Sequence, residues 1–180
     1  MSKLKVVIAP DPRLRKVTKK VQIVDKKIQQ TLKDMLETMY KTNGIGLAGP
    51  QVGINKQLVV IDISYDKNGA GKSPMYFINP EITKSSKNLN VYNEGCLSLP
   101  NIFEDVERPA TCSVKALDFN GKEFSMDCDD LLATCIQHEI DHLNGIVFAD
   151  HLSRLKRSRI LTKLEKSKKR KEYSEELFDI

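Results

Sequence analysis

The 180-residue chain has no apolar run long enough to cross a membrane. Near its start only Val6, Val7, Ile8 and Ala9 precede Pro10, a stretch too short for the core of a secretory signal. A cytoplasmic protein that touches no membrane is therefore expected. C-x-x-C pairs are missing too: Cys96, Cys112, Cys128 and Cys135 stand apart. An even count is compatible with disulfides, but a non-secreted chain that can bury a real core argues for free thiols. There is no internal repeat and no long linker, so one domain is expected. Most of the chain also lacks surplus charge. Residues 1–153 hold 19 basic and 19 acidic groups, whereas residues 154–171 hold ten Lys/Arg against the single acid Glu165. Four acids follow in residues 172–180. The chain thus reads as a neutral body, 1–153, and a basic C-terminal helix with an acidic end, 154–180, within one domain.

The apolar periodicity of Ile28, Leu32, Met35, Leu36, Met39 and Tyr40 predicts a first helix over about 26–42, with Asp25 as its N-cap. Residues 57–63 and 75–79 read as strands, the second ended by Pro80. Residues 112–118 and 122–126 read as a hairpin closed by Asn120-Gly121. A second helix is predicted over about 128–143, capped by Asp127 and ended by Asn144-Gly145. Leu131, Leu132, Cys135, Ile136, Ile140 and Leu143 cover a wide arc of it, so it should be central and buried. A third helix is predicted over about 155–171. Strands and helices do not alternate regularly, which points to an α+β fold with antiparallel sheets packed around the second helix.

That helix carries the sharpest motif, Gln137-His138-Glu139-Ile140-Asp141-His142. Residues four apart lie about 40° apart around a helix and about 6 Å along it, so both imidazoles can reach one ion with Glu139 beside them. The alternative is a charged helix face that happens to hold two histidines. A catalytic centre needs a third ligand and an open position. Phe148 stands where one large zinc-peptidase class has its third histidine. His151 lies beyond the helix-ending Gly145, and Glu165 sits in a Lys/Arg-rich surface helix where an ion pair is the simpler reading. Cys96, taken alone, reads as a small buried hydrophobe.

Three segments resemble the motifs of peptide deformylases: Gly44-Ile45-Gly46-Leu47-Ala48-Gly49-Pro50-Gln51, Glu94-Gly95-Cys96-Leu97-Ser98 and Gln137 through Gly145. They occur in the family's order, and the likeness extends from Asp11-Pro12-Arg13-Leu14 to the C-terminal helix. One departure is Gly49, where the family has alanine. The resemblance implies Cys96, His138 and His142 as metal ligands and Glu139 as general acid/base. It implies Gln51 and the backbone N–H of Leu97 as oxyanion donors, with Gly46 and Glu94 binding substrate backbone and shaping the cleft. Thr134 and Cys135, one turn before the motif, are expected to line the substrate pocket. It further implies one divalent ion per chain, Fe²⁺ at work with Zn²⁺, Ni²⁺ or Co²⁺ able to substitute.

The implied reaction is removal of the formyl group from formyl-methionine of nascent polypeptides, releasing formate. A peptidase using the same histidines is the rival, weakened by Phe148. A nucleic-acid-binding role for the basic tail is the other, weakened because the tail lacks aromatic platforms for bases. No sequence-specific nucleic acid is expected. The tail is read instead as an approach to the ribosome near the exit tunnel, and its removal is expected to leave turnover of short peptides intact. Arg108 reads equally as a substrate anchor or a partner of Glu107 or Glu104, and Asp141 as a support for a ligand or a solvated acid.

Overall fold

A computed structural model describes residues 4–64 and 71–169. The order of elements is α1 (Lys26–Lys41), β1 (Gly46–Ala48), β2 (Leu58–Ile61), β3 (Met75–Ser85), β4 (Leu89–Cys96), β5 (Leu99–Pro109), β6 (Cys112–Leu117), β7 (Glu123–Cys128), α2 (Asp130–Leu143) and α3 (Arg154–Lys169). Short 3-10 turns lie at Pro12–Arg15, Gly49–Val52 and Phe148–His151. The architecture is α+β, with an antiparallel five-stranded sheet ordered β1-β2-β3-β6-β7 and a separate β4-β5 hairpin.

β2 shows how the layers form. All four of its residues are buried. Leu58 and Val60 join Ile28, Leu32, Met35 and Met39 of α1, while Val59 and Ile61 join Ala133, Ile136 and Ile140 of α2. Side chains of a strand alternate between faces, so this continuous apolar run serves two helices at once. α1 follows the predicted stripe, and Asp25 caps it by accepting from the N–H of Ile28 at 2.8 Å.

A third apolar cluster lies elsewhere. Leu99, Ile102 and Val106 of β5 meet Leu14, Phe148, and Ile160 and Leu164 of α3. Leu164 is 1% exposed. α3 therefore contributes core side chains as well as surface charge. Removing residues 154–180 would therefore take away Ile160 and Leu164, which back β5, as well as the charge.

Several boundaries differ from expectation. β3 runs through Pro80 to Ser85, with an irregular register between Ile78 and Glu81. Asn79 adopts φ 52° there, and a proline at a bulge costs no ladder bond. The hairpin turns at Asn120-Gly121 as predicted, with Gly121 at φ 82°. However, β7 continues to Cys128 because Ser113↔Asp127 and Cys112↔Cys128 still pair. α2 consequently starts at Asp130 behind Asp129, and Asp127 accepts from Ser113 Oγ at 2.5 Å instead of capping the helix. α3 is described to Lys169; the end predicted at 171 and the acidic segment lie outside the described residues. Among the described residues, no helix is long and apolar enough to cross a membrane.

Candidate metal centre and active-site cleft

Three elements supply the site. α2 presents His138, Glu139 and His142, all buried. The β4–β5 hairpin presents Glu94 and Cys96, then turns at Leu97 and Ser98. β1 and the 3-10 turn after it supply Gly46 and Gln51. They enclose a cleft of about 570 Å³. Every predicted site residue lines it except His142, which lies behind His138.

Cys96 Sγ, His138 Nε2 and His142 Nε2 form a cluster whose ligand atoms all lie within 4.8 Å of one another. Sγ of Cys96 is 3.3 Å from His142 Nε2, and the two Nε2 atoms are 3.2 Å apart. Tetrahedral coordination with metal–nitrogen bonds of about 2.0–2.1 Å sets two nitrogens about 3.3 Å apart, so the donors fit one divalent ion. Burial disfavours charge on both rings. At His138, Cys96 and Glu94 more than offset burial and hold the pKa well above its usual value. At His142, the charge of His138 adds to burial and pushes it well below.

The tautomer of His138 is set from behind. Its Nδ1 lies 2.8 Å from Glu94 Oε2. A carboxylate only accepts, so Nδ1 carries a proton, and Nε2 is the nitrogen whose lone pair a metal would take in place of a second proton. Glu94 is in turn gripped by Arg108, Nε to Oε1 at 2.6 Å and Nη2 to Oε2 at 3.1 Å. Burial raises the Glu94 carboxyl, but His138 and Arg108 outweigh it and lower the pKa. Both oxygens are engaged, so Glu94 supports His138 while also lining the cleft. Arg108 pairs with neither acid expected for it. Glu104 binds Lys156, and Glu107 falls on the opposite face of β5. Arg108 Nη1 reaches Asp141 Oδ2 at 2.8 Å, and His151 Nε2 lies 2.7 Å from the same oxygen. Asp141 is therefore neither a ligand nor a free acid, but a bridge behind the ligands. Nothing in the sequence joins residues 14, 33 and 44 positions apart.

Glu139 faces the cleft. Burial, aided by the charge of Glu94 and opposed by His138, raises its pKa to about 7. Its room is made by Gly46: a Cβ there would overlap Glu139 Oε1 and lie 2.8 Å from Cys135 Sγ. Gln51 is 1% exposed. Its Oε1 accepts from the N–H of Ala48 at 2.7 Å, which turns its NH₂ toward Cys96 Sγ at 3.4 Å. The amide therefore offers a donor beside the ligand cluster. Gly49 explains its own departure from the resembled motif. A Cβ there would come within 2.7 Å of the Lys56 carbonyl oxygen and 2.8 Å of that of Ile54. The loop is held by the Ile54 N–H donating to Gly49 O at 2.9 Å. Phe148 is buried, its ring centroid 6.2 Å from that of His138. It packs behind the site and supplies no ligand.

With this geometry in view, the likeness to known proteins is decisive. The family model described as polypeptide deformylase matches residues 3–158. The chain belongs to that family. A peptide deformylase of Cellvibrio japonicus is 53% identical over 169 residues, covering 94% of this chain and 98% of the relative. The crystal structure of a Legionella pneumophila peptide deformylase superposes with a TM-score of 0.87 at 43% identity, covering 97% of this chain and 99% of that one. That of Ehrlichia chaffeensis peptide deformylase in complex with actinonin gives 0.86 at 40% identity, covering 93% and 98%. The Cys96, His138 and His142 cluster is thus the metal centre of a deformylase.

Proposed function

We infer that this deformylase hydrolyses the formyl–nitrogen bond of formyl-methionyl peptides with Glu139 as its proton carrier. The observation that carries this reading is a buried carboxyl with a pKa of about 7 beside one thiol and two imidazoles converged on a single point. A divalent ion held by Cys96, His138 and His142 supplies Lewis acidity, which can lower the pKa of a water from about 15.7 to about 7. Glu139 takes a proton from the attacking water and delivers it to the nitrogen of the departing amine. Formate and a free amino terminus result. The Gln51 NH₂ and the backbone N–H of Leu97 meet the oxygen on which negative charge grows, and losing one such donor typically costs about 10²–10³ in rate. Gly46 leaves space for substrate backbone, while Thr134 and Cys135 line the wall that receives the methionine side chain.

Fe²⁺ is the proposed working ion, with Zn²⁺, Ni²⁺ or Co²⁺ able to occupy the same donors. Imidazole suits all four, and Fe²⁺ stands below the others in affinity. Its advantage must therefore lie in rate. The proposed setting is the cytoplasm, at the ribosome's exit tunnel, with the basic face of α3 meeting phosphate. Formate release from formyl-Met-Ala and acetyl-Met-Ala peptides tests the reaction. Release from the formyl peptide with little turnover of the acetyl one is expected, and equal turnover of both would remove the specificity. Anaerobic reconstitution with each ion tests the metal: an Fe²⁺ enzyme no faster than the Zn²⁺ enzyme would overturn iron.

A further inference from the structure

Two cysteines outside the site face each other. Cys112 opens β6, Cys128 closes β7, and they form the end pair of the ladder. Directly opposed residues of an antiparallel pair have Cα atoms about 4.5–5.5 Å apart, inside the roughly 4.4–6.8 Å over which a disulfide closes. Both side chains point into the same apolar cluster, 4% and 1% exposed. Facing each other across the ladder in one cluster, the two thiols act on one another. Their proximity lowers the Cys112 pKa and raises that of Cys128, with burial and the charges of Asp127 and Asp129 adding to the rise. Cys112 is therefore the readier thiolate. The other two thiols are placed differently: Cys96 is in the metal centre, and Cys135 lies against Ile45 O at 3.9 Å.

Position gives the pair both access and consequence. Strand ends open locally far more often than strand centres, so burial in the closed state does not bar a small reagent. Cys128 also immediately precedes Asp129, the N-cap of α2, and α2 carries His138, Glu139 and His142.

We propose that Cys112 and Cys128 form a reversible dithiol–disulfide pair, oxidised by small linear disulfides of the glutathione kind, that fastens the start of the catalytic helix to β6. The Cys112 thiolate attacks one sulfur of the small disulfide, breaking its S–S bond and expelling one thiolate. The Cys128 thiolate then attacks the Cys112 sulfur of the mixed disulfide and expels the second. The two cysteines lose two electrons and two protons, and the small disulfide leaves as two thiols.

The test equilibrates the zinc-loaded full chain in glutathione buffers of rising oxidised fraction, followed by intact mass and peptide mapping without reduction. Zinc has no redox chemistry and keeps Cys96 engaged. The expected product has lost two hydrogens, joins the peptides that contain residues 112 and 128, and reverts with dithiothreitol. Closing a hairpin of this size should raise the melting temperature by roughly 5–10 °C. Cys128→Ala should stall as a glutathione adduct on Cys112. Wild-type protein that stays fully reduced, collects only glutathione adducts, cross-links other cysteines, or melts lower once cross-linked would overturn the proposal.

Discussion

α2 and α3 are helices of similar length with opposite uses of charge. α2 buries His138, Glu139 and His142 and backs them with Glu94, Arg108 and Asp141, so each charge has a named partner or task. α3 carries most of the surplus positive charge and exposes it at Arg154, Arg159, Lys163 and Lys166 among others of its described side chains, while Ile160 and Leu164 do the packing. The difference teaches that charge count does not locate chemistry. A few charges forced out of water must be paired or put to work, whereas many charges left in water need neither.

The comparison breaks most visibly at Glu139. Glu139→Gln keeps the shape of the side chain but cannot take a proton. Turnover of a formyl-Met peptide should fall by about 10²–10⁴, with zinc content and melting temperature near those of wild type. Activity within threefold of wild type would remove Glu139 from the reaction. Arg108→Ala tests the support behind the ligands. It leaves the buried Glu94 and the partly buried Asp141 without their guanidinium, and breaking a buried pair such as Arg108–Glu94 costs about 3–5 kcal/mol. Urea unfolding of the zinc form measures it, and a midpoint unchanged from wild type would show that His138 alone satisfies Glu94.

What the sequence could show follows the same division. His138, Glu139 and His142 were legible because a helix converts spacing into direction, and the apolar arc around them announced burial. β2 was legible as an apolar run, though not as a strand serving two helices. The β4–β5 hairpin was not legible as strands, because β4 exposes Leu89 and Val91 and hides Glu94. Its alternation runs against the usual apolar-in pattern, so only the resemblance to deformylases pointed to Cys96. The chain from His151 through Asp141, Arg108 and Glu94 to His138 was invisible, since it is made by tertiary approach of β5, α2 and the Phe148–His151 turn. The C-terminal segment misled in the other direction: the ten cations of residues 154–171 hid two core residues of α3.

Leu164→Ala addresses that hidden half of α3. Leu164 is fully enclosed with Leu99 and Phe148, and replacing a buried leucine by alanine costs about 2–5 kcal/mol. The loss should appear in the urea midpoint, with KM for a short formyl peptide little changed while the protein remains folded. A change below about 0.5 kcal/mol, the scale of surface substitutions, would mean that α3 does not anchor β5.

The smallest effect on the enzyme itself is expected from the outward half of α3. Lys163 and Lys166 are exposed, and no ion pair is found for either among the described residues. Replacing both with glutamine removes two charges without touching the cluster of Ile160 and Leu164. Stability should stay within about 0.5 kcal/mol of wild type, and turnover of a short peptide should be unaltered. Binding to ribosomes is a different measurement with a different expectation. Each cation that meets phosphate releases a counterion. Affinity should therefore fall, and its slope against log salt should flatten by about 0.7–0.9 for each lysine–phosphate pairing removed. Leu164→Ala should do the converse in folded protein, lowering stability while leaving the salt slope alone. If the double glutamine variant binds ribosomes as tightly as wild type with the same salt slope, the exposed charge of α3 is solvation only. The helix would then serve the deformylase through its buried stripe alone.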